Sequence, residues 1–224
     1  MSTTISCRLC RLYAVCDGPT AQAATPAIGL FKKIIRLDPK KMLVDSMGKP
    51  LKGFYVLRTG CVKFSRMDAY GKEHINWFYL PGDLVGLEYL SDAFQDTHMI
   101  AVIQSELCEI SVQALYHTLG THQQFRMDFL QWMGARIQHK ENFANYTAEQ
   151  RVAYFLLMMF ERMSVNNGDI CVFPFGRDCI GSYLGLASET VSRIFRVFQD
   201  SHLVLIKARQ FQLLNAQALR QLII

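Results

Sequence analysis

The 224-residue chain lacks any stretch approaching the roughly 20 uninterrupted apolar residues that cross a bilayer. Its first 16 residues also lack the basic start and apolar run of a secretory signal. The two absences predict a cytoplasmic protein with no membrane partner. One-sided charge is missing as well: 24 Lys and Arg against 19 Asp and Glu leave a formal charge of +5, and residues 147–224 hold eight basic against six acidic side chains. Charge alone therefore identifies no nucleic-acid binder. Internal repeats and low-complexity tracts are absent. No Ser/His/Asp or paired-carboxylate arrangement stands out and the six histidines are scattered, so no enzyme is expected.

What is present is enough apolar material, 50% of the residues, to bury a real core in two compact units. The seven cysteines are an odd number, and a reducing cytosol disfavours disulfides, so grouped cysteines read as metal ligands, redox groups or packing. The basic run Lys32, Lys33, Arg36, Lys40 and Lys41 reads as a solvated helix face. Residues 17–27 are rich in Ala, Thr and Pro without an apolar period, which marks a linker after a cysteine-bearing head. Between residues 52 and 111, short apolar runs at 53–57, 61–65, 75–80, 99–103 and 107–110 alternate with the turn signals Thr59-Gly60, Tyr70-Gly71 and Pro81-Gly82-Asp83. That punctuation predicts a small antiparallel barrel or jelly roll.

Phe125, Phe129, Met133, Ile137 and Ala144 then fall at helical steps, which predicts a long amphipathic helix ending before Thr147. Its apolar stripe suits either a second copy of the helix or the chain's own barrel. A second helix is predicted over residues 148–163 and stopped by Asn166-Asn167-Gly168. Helical spacing over 177–184, the turn Gly185-Leu186-Ala187 and a suitable N-cap at Ser188 predict a helix-turn-helix. On a wheel of 100° per residue, Val191, Ile194, Phe195 and Phe198 share one face of residues 188–200, while Glu189, Ser192, Arg193 and Arg196 share the other. Arg, Glu and Ser suit the donors and acceptors of the major groove. Residues 203–208 and 211–214, joined through Arg209-Gln210, read as a two-stranded wing that could touch the DNA backbone through Lys207 and Arg209. The expected domains are a head and linker (1–27), a sensor roll (28–121), a long helix (122–146) and a DNA-binding unit (147–224).

Cys7, Cys10 and Cys16 have the spacing C-x2-C-x5-C, three thiols on one short segment. A zinc or iron–sulfur centre normally requires a fourth ligand, for which Cys61, Cys108, Cys171 and Cys179 are the candidates. Each is equally a small buried apolar side chain.

Nearly the whole chain resembles the FNR branch of the CRP/FNR family of bacterial regulators. The cysteine head carries part of the resemblance, with Pro81-Gly82-Asp83-Leu84-Val85-Gly86 and Leu107-Cys108-Glu109-Ile110. Its most specific part is Gly181-Ser182-Tyr183-Leu184-Gly185-Leu186 followed by Ser188-Glu189-Thr190-Val191-Ser192-Arg193. The resemblance implies an α+β fold: an N-terminal antiparallel β-roll of the cyclic-nucleotide-binding type, a long dimerisation helix and a C-terminal winged helix-turn-helix. It further implies a 4Fe-4S cluster on Cys7, Cys10, Cys16 and Cys108 that favours the homodimer without oxygen. Such a dimer would bind a palindromic double-stranded operator of the TTGAT type, read by Glu189, Ser192 and Arg193, with Arg196 facing the same way. The loop from Asp68 to Glu73, including Gly71 and Lys72, resembles the surface that touches RNA polymerase, and is by composition also a plain hairpin connection.

The chain departs from the family pattern at Leu9 and Arg11, where smaller or more polar residues usually flank the second cysteine. The long helix is about one turn shorter. Lys140 replaces a commonly acidic position, where facing copies would repel by about 1 kcal/mol if exposed. A structural zinc in place of the cluster uses the same four thiolates. A cyclic-nucleotide pocket is disfavoured because residues 86–98 contain no arginine for a phosphate.

Overall fold

The alternating runs of the first half form seven strands: β1 (Phe31–Leu37), β2 (Phe54–Thr59), β3 (Val62–Met67), β4 (Glu73–Tyr79), β5 (Leu84–Val85), β6 (Thr97–Ala101) and β7 (Ser105–Ile110). They make two antiparallel sheets, one in the order β1-β7-β2-β5 and one in the order β4-β3-β6. Leu57, Val62, Phe64, Tyr79, Met99 and Leu107 come from both sheets and join one buried cluster, so the sheets face each other across a single core. The predicted turn at Pro81-Gly82-Asp83 is stapled to β2. Gly82 N–H donates to Leu57 C=O at 2.7 Å, Leu57 N–H donates to Asp83 C=O at 3.0 Å, and the buried Asp83 carboxylate accepts from Leu80 N–H at 2.9 Å.

The computed structural model describes residues 10–18, 28–44, 53–90, 97–163, 170–208 and 210–223. Cys7, Leu9 and Arg209 lie outside the described residues, as do the side chain of Lys140 and residues 91–96 of the arginine-free stretch 86–98. Contacts divide the chain into two units, Met1–Ala135 and Arg136–Ile224.

The basic run is corrected by the structure, because Lys32, Lys33 and Arg36 lie in the edge strand β1 and not on a helix face, and Lys40 and Lys41 follow it at a turn. The pairing of β1 with β7 sets Lys33 opposite Glu109, an ion pair at 3.6 Å, and Arg36 opposite Glu106, which accepts from Arg36 Nε at 3.0 Å. A charged edge strand also discourages pairing with other chains.

After β7 come α1 (Val112–Thr121) and α2 (Gln123–Asn145). The predicted apolar stripe of α2 divides. Phe125 is buried and Phe129, Trp132 and Met133 are partly buried on the roll's core, whereas Ile137 is 57% exposed and Ala144 is exposed too. A single-face reading missed a second row, Met127 and Leu130, which stand 49% and 58% exposed. Apolar residues occupy two sides of this helix, so periodicity alone did not separate them.

The second unit contains α3 (Ala148–Met163), β8 (Ile170–Val172), α4 (Arg177–Leu184), α5 (Ser188–Asp200), β9 (Val204–Lys207), β10 (Gln210–Leu213) and α6 (Ala216–Gln221). The expected two-stranded wing gains a third strand, giving the order β8-β10-β9. Its core is aromatic: Phe173 stacks on Phe211 at 4.4 Å and on Phe195 at 6.1 Å, and Phe155 stacks on Phe173 at 6.1 Å. Buried rings of this size hold α3 and α5 to the wing.

Candidate nucleic-acid interface and cysteine cavity

The helix-turn-helix depends on two glycines. Gly185 ends α4 in the left-handed region at φ 68°, and its N–H, like that of Leu186, donates to Gly181 C=O. At Gly181 the turn comes so close that a Cβ would stand 2.6 Å from Leu186 O, so only glycine admits this tight return. From α3, Arg151 donates to Leu184 C=O at 3.1 Å, satisfying a carbonyl at the end of α4.

On α5 the buried face consists of Val191, Ile194, Phe195 and Phe198. Glu189, Ser192, Arg193 and Arg196 are exposed and line one open concavity, together with Arg177, Asp178 and Ser188. The expected N-cap is corrected by one residue: Ala187 occupies that position without a side-chain bond, and Ser188 begins the helix. Arg177 escaped the wheel because it belongs to the preceding helix. Its guanidinium lies 4.3 Å over the Phe195 ring, and burial lowers its pKa from the ordinary value. The stack holds a cation beside α5 at little conformational freedom. Lys207 is exposed at the end of β9.

In the first unit, residues 10–18 form a turn-rich head. The Asp17 carboxylate ties it down by accepting from Gly29 N–H at 2.6 Å and Phe31 N–H at 2.7 Å. Leu12 and Val15 are buried in one cluster with Leu115 of α1 and Phe125 of α2, and Arg11 lies 5.3 Å over the Trp132 ring. The head is therefore part of the same packed core as the start of α2.

Cys10 and Cys16 of the head and Cys108 of β7 line one cavity, walled largely by apolar side chains such as Ile34 and Val56. Leu12 N–H donates to Cys10 Sγ at 3.4 Å and Gly18 N–H to Cys16 Sγ at 3.3 Å. A Cβ at Gly18 would stand 3.2 Å from Cys16 Sγ, so a glycine keeps the sulfur's flank open. Soft sulfur donors, amides aimed at two of them and an apolar wall suit an iron–sulfur group. Among the described residues, no three Cys, His, Asp or Glu side chains are gathered closely enough to hold a single metal ion. Of the other candidate ligands, Cys61 and Cys171 are buried in the core, and burial pushes the Cys171 thiol up to about 11.

Asp68, Gly71, Lys72 and Glu73 sit at the β3–β4 hairpin. Asp68 braces the turn, accepting from Tyr70 N–H and Lys72 N–H at 2.9 Å each and pairing with His74 at 2.7 Å. The His74 bond is the main cause holding the Asp68 carboxyl below its usual pKa. Glu73 accepts from Ser65 and pairs with Lys63. Gly71 and Lys72 remain on the exposed tip beside Tyr70.

No helix among the described residues is long and apolar enough to cross a membrane. Residues 150–222 match the family described as Crp-like helix-turn-helix domain, and residues 37–122 match the cyclic nucleotide-binding domain. The transcriptional regulatory protein btr of Bordetella pertussis is 30% identical over 225 residues, covering 97% of this chain and 93% of that protein. The fumarate and nitrate reduction regulatory protein of Escherichia coli (strain K12) is 30% identical over 181 residues, 78% of this chain and 72% of its own length. Among solved structures, FixK2 from Bradyrhizobium japonicum superposes with a TM-score of 0.71 at 27% identity, covering 85% of this chain and 96% of that one. TTHA1359, a CRP/FNR-family regulator from Thermus thermophilus, shares the fold at 16% identity and a TM-score of 0.64, covering 85% of this chain and 98% of that one. The roll, the helix-turn-helix and these relatives lead to one conclusion: the chain belongs to the FNR branch of the CRP/FNR family, and is a DNA-binding transcription regulator and not an enzyme.

Proposed function

We propose that this regulator responds to oxygen through a 4Fe-4S cluster on Cys7, Cys10, Cys16 and Cys108, and binds a palindromic TTGAT-type operator as a homodimer when the cluster is present. The observation that carries this reading is the shared cavity of Cys10, Cys16 and Cys108, built from a head whose Leu12 and Val15 pack with α2. When bound, the cluster supplies an oxygen-labile link between head and roll. The chain does the rest. Leu12 and Val15 brace Phe125, and Arg11 covers Trp132, so a head that leaves the roll uncovers the start of α2.

Met127, Leu130, Gly134 and Ile137 lie at steps of three and four along α2, all exposed, which is the seam a parallel partner helix would cover. In this reading the seam makes the dimer, and one subunit alone has half the DNA contacts. Glu189, Ser192 and Arg193 read base edges, while Arg196 holds phosphate. The exposed tip at Gly71 and Lys72 meets RNA polymerase, with Asp68 and Glu73 keeping its shape. The protein works in the cytoplasm, activating or repressing anaerobic-response promoters.

The test is a gel shift on a TTGAT palindrome with anaerobic and air-exposed protein, with absorption spectra of both. Binding should be strong only without air, by protein whose visible absorption bleaches on exposure. Equal binding in both states, or a colourless zinc-loaded protein, would refute oxygen sensing and leave the DNA reader standing.

A further inference from the structure

The register of β2 against β7 breaks beside the cysteine cavity. Val56 pairs with Cys108 and Leu57 with Leu107, but the next partner of β7, Glu106, faces Thr59. Arg58 is the extra residue of a β-bulge. A bulge leaves one residue outside the ladder and re-aims its side chain, and such features concentrate next to functional sites. Here the re-aimed residue lines the same cavity as Cys10, Cys16 and Cys108.

The bonding of Arg58 is incomplete. Its Nη1 lies 3.8 Å from Glu106 Oε2, a loose ion pair, and its Nε is buried with no hydrogen-bond partner. Buried donors without acceptors are rare in folded proteins, and each asks what supplies the missing acceptor. The surrounding walls are largely apolar, whereas thiolates and sulfide would bring negative charge and sulfur acceptors into this space.

Resting on the cluster reading above, we propose that Arg58 is a positioning residue for that anionic group: its guanidinium offsets the charge, and its Nε–H finds there the acceptor that the protein withholds. Hydrogen bonds and positive charge near cluster sulfurs stabilise the more negative, reduced form and raise the reduction potential. Arg58 would thus hold the cluster and set its potential together.

The test compares full-length wild type, Arg58→Met and Arg58→Lys after anaerobic reconstitution with iron and sulfide. Three quantities are read: bound iron, the cluster's midpoint potential and the melting temperature of the iron-free chain. Arg58→Met should bind the cluster more weakly, by about 10–100-fold as for other outer-shell partners, and shift its potential negative. Its iron-free form should melt no lower than wild type, because a buried unpartnered donor has been removed. Arg58→Lys keeps the charge but lacks the Nε–H, and should fall between the two. Wild-type iron content and potential in Arg58→Met would overturn the role, and so would an iron-free chain destabilised in step with lost iron. A wild type that takes up no cluster would instead defeat the underlying reading, and the inference with it.

Discussion

Arg193 and Arg196 stand three residues apart on the exposed face of α5, yet the two guanidiniums are assigned different work. A base-reading arginine discriminates sequence, whereas a phosphate-bound one adds affinity to every sequence. Arg193→Ala is expected to cost about 1–3 kcal/mol on the operator and to relax preference at one base pair. Arg196→Ala should weaken operator and random DNA alike and reduce the logarithmic salt slope by about one. Titrations on both DNAs over a range of salt decide the matter; a sequence-dependent loss at Arg196 would exchange the roles. At this scale the wheel was a good guide, since alternation of burial along one helix is local. It was blind to Arg177, which reaches the same concavity from α4 by stacking on Phe195.

Among the elements, the end of α2 packs on α3 and α4 around a buried histidine. His139 is 9% exposed, and its two ring nitrogens lie 2.8 Å from Tyr154 Oη of α3 and 2.8 Å from Tyr183 Oη of α4. A neutral imidazole has one donor and one acceptor, so one tyrosine accepts while the other donates. Phe143 packs at 4.7 Å from the same ring, and burial raises the pKa of Tyr154. His139→Phe keeps the ring and removes both hydrogen bonds, which should cost about 1–3 kcal/mol through the hydroxyls left behind. Hydrogen exchange of α3 and α4 amides should quicken accordingly; unchanged protection would show that ring packing alone holds these helices. Nothing in the spacing of a single histidine announces such a joint, because its partners lie 15 and 44 residues away.

For the whole molecule, the consequential contact is the head against α2. Leu12 is fully buried in one cluster with Phe125 and Leu115. Leu12→Ala removes a core side chain of the kind whose loss costs about 2–5 kcal/mol. If the head supports α2 for dimerisation, sedimentation of the anaerobic, cluster-loaded variant should show a smaller dimer fraction and weaker operator binding. A wild-type dimer fraction would uncouple the head from the dimer.

By itself the sequence determined the local features: where α3, α4 and α5 begin and end within a residue, which face of α5 is greasy, and that short strands make a roll. These follow from periodicity and turn chemistry, which are properties of neighbouring residues. Tertiary structure alone decided what depends on distant pairing. Lys32, Lys33 and Arg36 became part of an edge strand, where Glu106 and Glu109 of β7 lie opposite. Cys108 joined Cys10 and Cys16 because β7 borders the head, and Arg58 joined them because one residue of β2 has no partner in the ladder. The stripe of α2 divided because the roll has room for only one of its apolar sides.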